Sequence, residues 1–123
     1  MEKEFTTYEQ ALAFKELDFN EPCFGYYIET GEWVPASYSK EGTIYPSNAD
    51  LLPEWCTAPT FSQAFRWFRD RFKLHSYIEG AYPWFRYYIN SEDDRYEGHK
   101  YLTYEEAESA CLDELIKLVK NGR

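Results

Sequence analysis

The chain has 123 residues and a formal net charge of −9, and a fifth of its side chains are aromatic, with Tyr 12, Phe 9 and Trp 4. This length suits one domain, spanning residues 1–123, that buries about two-thirds of its unfolded surface, and broad rings with few rotors fill a modest core. The acidic surplus repels phosphate backbones, and no apolar run approaches the roughly 20 residues of a membrane span, which argues against polyanion-coating and membrane-embedded classes.

The charge is uneven. Residues 1–56 carry −8, residues 57–90 carry +3 and residues 91–123 carry −4. The charged start Met1-Glu2-Lys3-Glu4 is unlike a secretory leader and points to the cytoplasm. Cys23, Cys56 and Cys111 are odd in number and far apart, as expected of reduced, buried thiols and not of a disulfide framework.

Thr7-Tyr8-Glu9-Gln10-Ala11 opens the first helix with a Thr followed three residues later by Gln, the capping-box pattern. Residues 8 to about 17 follow, with Tyr8, Ala11, Leu12 and Phe14 on the apolar face, and Asp18-Phe19-Asn20-Glu21-Pro22 ends the helix, since Pro22 cannot continue it. Cys23-Phe24-Gly25-Tyr26-Tyr27-Ile28 reads as a strand. Thr30-Gly31-Glu32 is a tight turn, and Trp33-Val34 begins a return strand that Pro35 confines to an edge.

Residues 35–59 are irregular, punctuated by Pro35, Gly42, Pro46, Pro53 and Pro59. Thr43-Ile44-Tyr45 suits a short strand and Asp50-Leu51-Leu52 a helical turn. Such a long loop usually packs or binds, and Leu51, Leu52 and Trp55 favour packing over the core.

Thr60-Phe61-Ser62-Gln63-Ala64 repeats the capped start, and the second helix runs to Phe72 or Lys73. Phe61, Phe65, Phe68 and Phe72 form one stripe, expected in the core. Residues 75–79 and 84–89 read as strands joined by a hairpin loop at 80–83, and residues 96–102 as a further return. Thr103-Tyr104-Glu105-Glu106-Ala107 starts the third helix, residues 104 to about 120. Its acids lie at the positive end of the dipole and Lys117 and Lys120 at the negative end. Tyr104, Ala107, Cys111, Leu115 and Leu118 form its inner stripe. A second apolar row of Leu112, Ile116 and Val119 implies another helix as neighbour, either within the chain or in a second copy forming a homodimer.

The expected class is α+β. An antiparallel sheet of about four strands packs against three helices, in the order α-β-β-α-β-β-(β)-α. The threefold start at 7, 60 and 103 fits either an internal duplication or convergent use of a good helix opening.

Pro59-Thr60-Phe61-Ser62-Gln63-Ala64-Phe65-Arg66-Trp67-Phe68-Arg69 and Tyr104-Glu105-Glu106-Ala107-Glu108-Ser109-Ala110-Cys111-Leu112 resemble stretches of a family of small uncharacterised proteins of bacteria and their phages. The resemblance covers roughly the second half of the chain, with Pro22-Cys23-Phe24-Gly25-Tyr26-Tyr27 beside it. It implies a short reading frame on phage or mobile DNA and brings no activity and no site residues.

The residues argue against catalysis and against a cofactor. His75 and His99 lie on separate elements, and no Cys or His spacing suits zinc. Cys111 sits on an inner helical stripe, Glu92-Asp93-Asp94 lacks the alternation of a calcium loop, and the six glycines are scattered. Binding is the better-supported class. Arg66, Arg69 and Lys73 share one side of the second helix, with Trp67 and Arg71 flanking. They suit the chain's own acids, an acidic protein partner, or nucleic acid with Trp67 stacking on a base. The acidic flanks oppose the last of these.

Overall fold

A computed structural model describes residues 4–36, 38, 39, 42, 43 and 45–122. The charged start at 1–3 and Ile44 of the candidate strand lie outside the described residues. The chain divides after Thr60 into two compact units, where length alone suggests one. Each has its own three-stranded antiparallel sheet, with one helix in the first unit and two in the second.

The first unit holds α1 (Tyr8–Glu16), β1 (Gly25–Tyr27), β2 (Trp33–Pro35), β3 (Tyr38–Ser39), β4 (Gly42–Thr43) and β5 (Cys56–Thr57). Its main sheet runs β2-β1-β5, so Pro35 lies on an edge strand as expected. The capping box of α1 is complete: Gln10 N–H donates to Thr7 Oγ1 at 3.2 Å, and Thr7 N–H donates to Gln10 Oε1 at 2.9 Å. Pro22 is not what ends this helix. Asp18 adopts a left-handed φ of 68°. Phe19 N–H then reaches Phe14 O at 3.0 Å, and Asp18 N–H reaches Lys15 O at 3.1 Å. Phe14 and Phe19 meet edge-on at 5.3 Å, completing a Schellman stop with its hydrophobic contact. Gly31 turns the β1–β2 connection at a φ of +87°, where a side chain is strained.

Phe5, Ala11, Tyr27, Cys56 and Ala58 form one buried cluster of this unit, with Tyr8, Leu12 and Trp33 against it, and Phe14, Leu17, Phe19 and Cys23 are buried too. The described part of the irregular stretch is tied down by polar groups. Asn48, which opens a 3-10 turn over Asn48–Asp50, donates Nδ2–H to Phe19 O at 2.7 Å and accepts from Thr57 N–H at 2.8 Å. Lys15 donates to the carbonyls of Pro53 and Trp55, and the Trp55 ring stacks on Tyr26 at 5.4 Å. The stretch is held by satisfied backbone groups as much as by apolar contact.

The second unit holds α2 (Phe61–Phe72), β6 (His75–Ala81), β7 (Trp84–Asn90), β8 (Arg95–Glu97) and α3 (Tyr104–Asn121). Its sheet runs β6-β7-β8, extended by a bridge between Phe85 and Tyr101. The strands reach further into the hairpin than propensity suggests. Gly80 pairs with Phe85 and Ala81 with Trp84, leaving only Tyr82-Pro83 as the loop. On β7, Tyr87 and Ile89 are buried on one face, and α3 packs against β6, β7 and α2. Gly98 is buried where any side chain would enter the Tyr87 ring, since a Cβ there would stand 2.2 Å from it.

Thr103 caps α3 by accepting from Glu106 N–H at 3.1 Å, while its hydroxyl donates to Glu106 Oε1 at 3.0 Å. The Glu106 carboxylate thus holds the hydroxyl, whereas Gln10 holds a backbone amide. Helix, strands, helix, strands, helix is the order read from the sequence, and the class is α+β. The strands are shared between two three-stranded sheets and a two-stranded β3–β4 pair, not one sheet of about four. In the first unit the strand after the helix lies in the centre; in the second it lies at the edge. This difference favours convergence of the capped starts over duplication.

Candidate functional site

A cleft of about 410 Å³ opens in the second unit. Ser62, Phe65, Arg66 and Arg69 form one wall from α2, at the i, i+3, i+4, i+7 spacing that lines up one helical face. Tyr104, Glu108 and Cys111 form another from α3, again at i, i+4, i+7. The third wall is Ser76-Tyr77-Ile78 of β6. Alternate residues of a strand point to opposite faces, so three consecutive residues line a cavity only where it follows the strand's edge.

Two guanidinium groups and the hydroxyls of Ser62, Ser76 and Tyr104 therefore share one opening. Among the described residues Arg66 makes no ion pair, and Arg69 meets only its neighbour Asp70 at 3.6 Å, with both side chains half or more exposed. Such an exposed pair contributes roughly 0–1 kcal/mol and leaves the guanidinium available. Burial, and then the charge of Glu105, hold the Glu108 carboxyl above its ordinary value of 4.5. The cleft is thus a donor-rich recess with one carboxyl that takes a proton readily.

Burial pushes the Cys111 thiol up to about 12, with a hydrogen bond from Ser76 offsetting part of the effect. A thiol in that state is not a nucleophile near neutrality. Cys23 and Cys56 are pushed up to about 12 and about 11 by burial, and all three cysteines are free. His75 and His99 are exposed and do not line the cleft. Among the described residues no group of three or more His, Cys, Asp or Glu is placed to hold a metal, and no helix is long and apolar enough to cross a membrane.

Of the residues singled out on the second helix, Arg66 and Arg69 stand in the cleft, and Trp67 and Lys73 do not. Trp67 is only 5% exposed and packs edge-on against Phe68 and Phe72 at 5.2 Å, with Arg71 at 5.8 Å, so it presents no face to a base. The core stripe is rotated toward Ala64, Trp67 and Phe68, while Phe61, Phe65 and Phe72 are only half-buried. Lys73 closes the helix: its φ is 58°, and its ammonium donates to Asp70 O at 3.2 Å. Leu112, Ile116 and Val119 are all buried in the monomer, so the row offers no exposed dimer face; α2 is the helical neighbour that the double row implies. Ser62, Ser76, Tyr104 and Glu108 escaped sequence reasoning. The signal present for α2 was Ser62 four residues before Arg66 on the same helical row.

The opposite face of the sheet is also rich in rings and cations. Tyr77 and Tyr88 stack at 5.1 Å, and Arg95 lies 4.7 Å over Tyr88 while donating to the Tyr77 hydroxyl at 3.3 Å. Arg86 meets Glu97 at 4.0 Å, and Lys100 lies 5.9 Å from the Trp84 ring. Each cation there already has an internal partner, whereas Arg66 makes no ion pair among the described residues. No protein-family model matches the chain, and no curated protein or solved structure matches it significantly.

Proposed function

We propose that the chain is a small, non-catalytic binding module that takes an acidic segment of a partner protein in the cleft between α2, β6 and α3. One observation carries the reading: Arg66 and Arg69 line one cleft with Ser62, Ser76 and Tyr104, and Arg66 makes no ion pair among the described residues. The chain carries 22 acids against 13 basic residues, so a cation left without an internal partner stands out. Nucleic acid on the basic side of α2 is the weaker reading, because Trp67 is buried and Lys73 is occupied at the helix end. Residence in the cytoplasm belongs to the same proposal and is supported by three free, buried thiols. An origin on phage or mobile DNA rests on the resemblance of residues 59–69 and 104–112.

A labelled glutamate-rich peptide, followed by fluorescence anisotropy, tests the reading. Two partly exposed charge-assisted contacts of about 1 kcal/mol each amount to roughly thirtyfold in affinity. Arg66→Glu/Arg69→Glu should remove at least that much, Arg66→Gln/Arg69→Gln less, and added salt should weaken the native complex. Equal affinity for a lysine-rich peptide, or no response to the charge reversal, would overturn it.

A further inference from the structure

The third wall of the cleft is the outer edge of a sheet, and the ladder shows which of its groups are open. On β7, Phe85 exchanges both backbone hydrogen bonds with Tyr101 at 2.8 Å, and the Tyr87 carbonyl accepts from Gly98 N–H at 2.9 Å. In an antiparallel sheet successive residues of a central strand bond to opposite neighbours. Phe85 and Tyr87 bond toward β8, so Trp84, Arg86, Tyr88 and Asn90 bond toward β6. The register assigns them to Ala81, Glu79, Tyr77 and His75. Ser76, Ile78 and Gly80 are left with their N–H and C=O groups directed away from β7.

Nothing among the described residues pairs with that edge, because β6 is terminal in its sheet. It also lacks the usual protection. Across its seven residues there is no Pro, no Lys and no Arg, and Glu79 is the one acid. A seven-residue edge strand with open backbone groups is a template for another strand. Ser76 and Ile78 line the cleft together with Arg66 and Arg69.

We propose that the cleft is filled by strand addition: an extended acidic segment of a partner protein pairs with residues 76–80 and directs alternate carboxylates at Arg66 and Arg69. The inference rests on the reading of the cleft as an acidic-segment site and specifies how the segment lies. Main-chain hydrogen bonds supply affinity, and alternate side chains supply selectivity. Alternate residues of a strand are about 7 Å apart, within the joint reach of two arginines one helical turn apart. A second copy of this chain fits the edge less well. Pairing β6 with its own copy would bring Arg66 and Arg69 of both chains to one seam, and like charges there oppose association.

The probe is an octapeptide alternating valine and glutamate, in three forms: unmodified, N-methylated on its valine amides, and N-methylated on its glutamate amides. A methyl group on an amide that bonds β6 removes a donor and blocks approach; one on an amide facing solvent does neither. Strand addition predicts that one methylated form binds roughly tenfold or more weakly and the other within about twofold of the unmodified peptide. It also predicts slowed amide exchange at Ser76, Ile78 and Gly80 on binding. Equal weakening by both methylations, with charge reversal at Arg66 and Arg69 still abolishing binding, would overturn strand addition and leave the acidic-segment reading standing. No binding of the unmodified peptide would overturn both. Protection of the same three amides in a peptide-free dimer would give the edge to a second copy and overturn the proposal.

Discussion

Asn48→Ala should be among the most damaging single changes in the first unit. The Asn48 side chain satisfies two backbone groups at once, Phe19 C=O at 2.7 Å and Thr57 N–H at 2.8 Å. Both residues are about 1% exposed, so water cannot easily replace the lost partner. An orphaned buried backbone group costs roughly 1–3 kcal/mol, and two such groups, relieved in part by local relaxation, cost about 2–4 kcal/mol. A body of about 60 residues holds only some 3–9 kcal/mol in total, so at mid-range about half of its stability depends on one amide. Asn20→Ala is the control. It removes one bond, from Ala49 N–H at 2.9 Å in an exposed setting, and should cost about 0.5–1 kcal/mol. Asn48→Asp keeps an acceptor for Thr57 N–H but sets a carboxylate against the Phe19 carbonyl, so it should recover only part of the loss. Urea titration followed by amide exchange at residues 25–27 and 56–58 reads this unit without interference from the other. If Asn48→Ala proves no worse than Asn20→Ala, the irregular stretch is not held in the way described.

Gly98→Ala places a methyl group 2.2 Å from the Tyr87 ring and should destabilise the second unit by about 1–3 kcal/mol; adding Tyr87→Ala should make the pair far less than additive in urea unfolding. Asp18→Gly relieves the left-handed φ of 68° at the end of α1 and should raise the first unit's stability by about 0.5–1 kcal/mol, visible as a higher urea midpoint at constant slope. Glu108 binds its proton more tightly when folded, through burial first and Glu105 second. Stability should therefore fall as pH rises from below 4.5 through that raised value and level off above it, and Glu108→Gln should flatten this part of the profile. The same change should tighten acidic-peptide binding on the alkaline side of that titration, where the native carboxylate opposes the ligand; weaker binding there would contradict the cleft's charge logic.

Local signals were legible and tertiary ones were not. Thr7 and Thr103 carry their caps because a hydroxyl and an amide three residues on are neighbours whatever surrounds them. The stop of α1 was placed after residue 17 but assigned to the conspicuous Pro22, whereas a left-handed Asp18 and the meeting of Phe14 and Phe19 make it. Propensity made Gly80 and Ala81 loop residues, and their cross-strand partners Phe85 and Trp84 overrode it. On α2, counting phenylalanines placed the core one residue off, since Ala64 and Trp67 are buried beside Phe68. That rotation separates Trp67 from Arg66 and Arg69. Half of the site was visible as a basic stripe. The other half comes from β6 and α3, which no spacing within one helix encodes.

The central claim is that an acidic, extended ligand occupies the cleft of the second unit. A two-dimensional amide spectrum of the whole chain, titrated with the unmodified alternating peptide, tests it most directly. The account predicts shifts confined to residues 62–69, 76–80 and 104–111, with the side-chain Nε–H signals of Arg66 and Arg69 moving alongside. Shifts centred on Trp84, Arg95 and Lys100 on the opposite sheet face, or on residues 4–60, would contradict it.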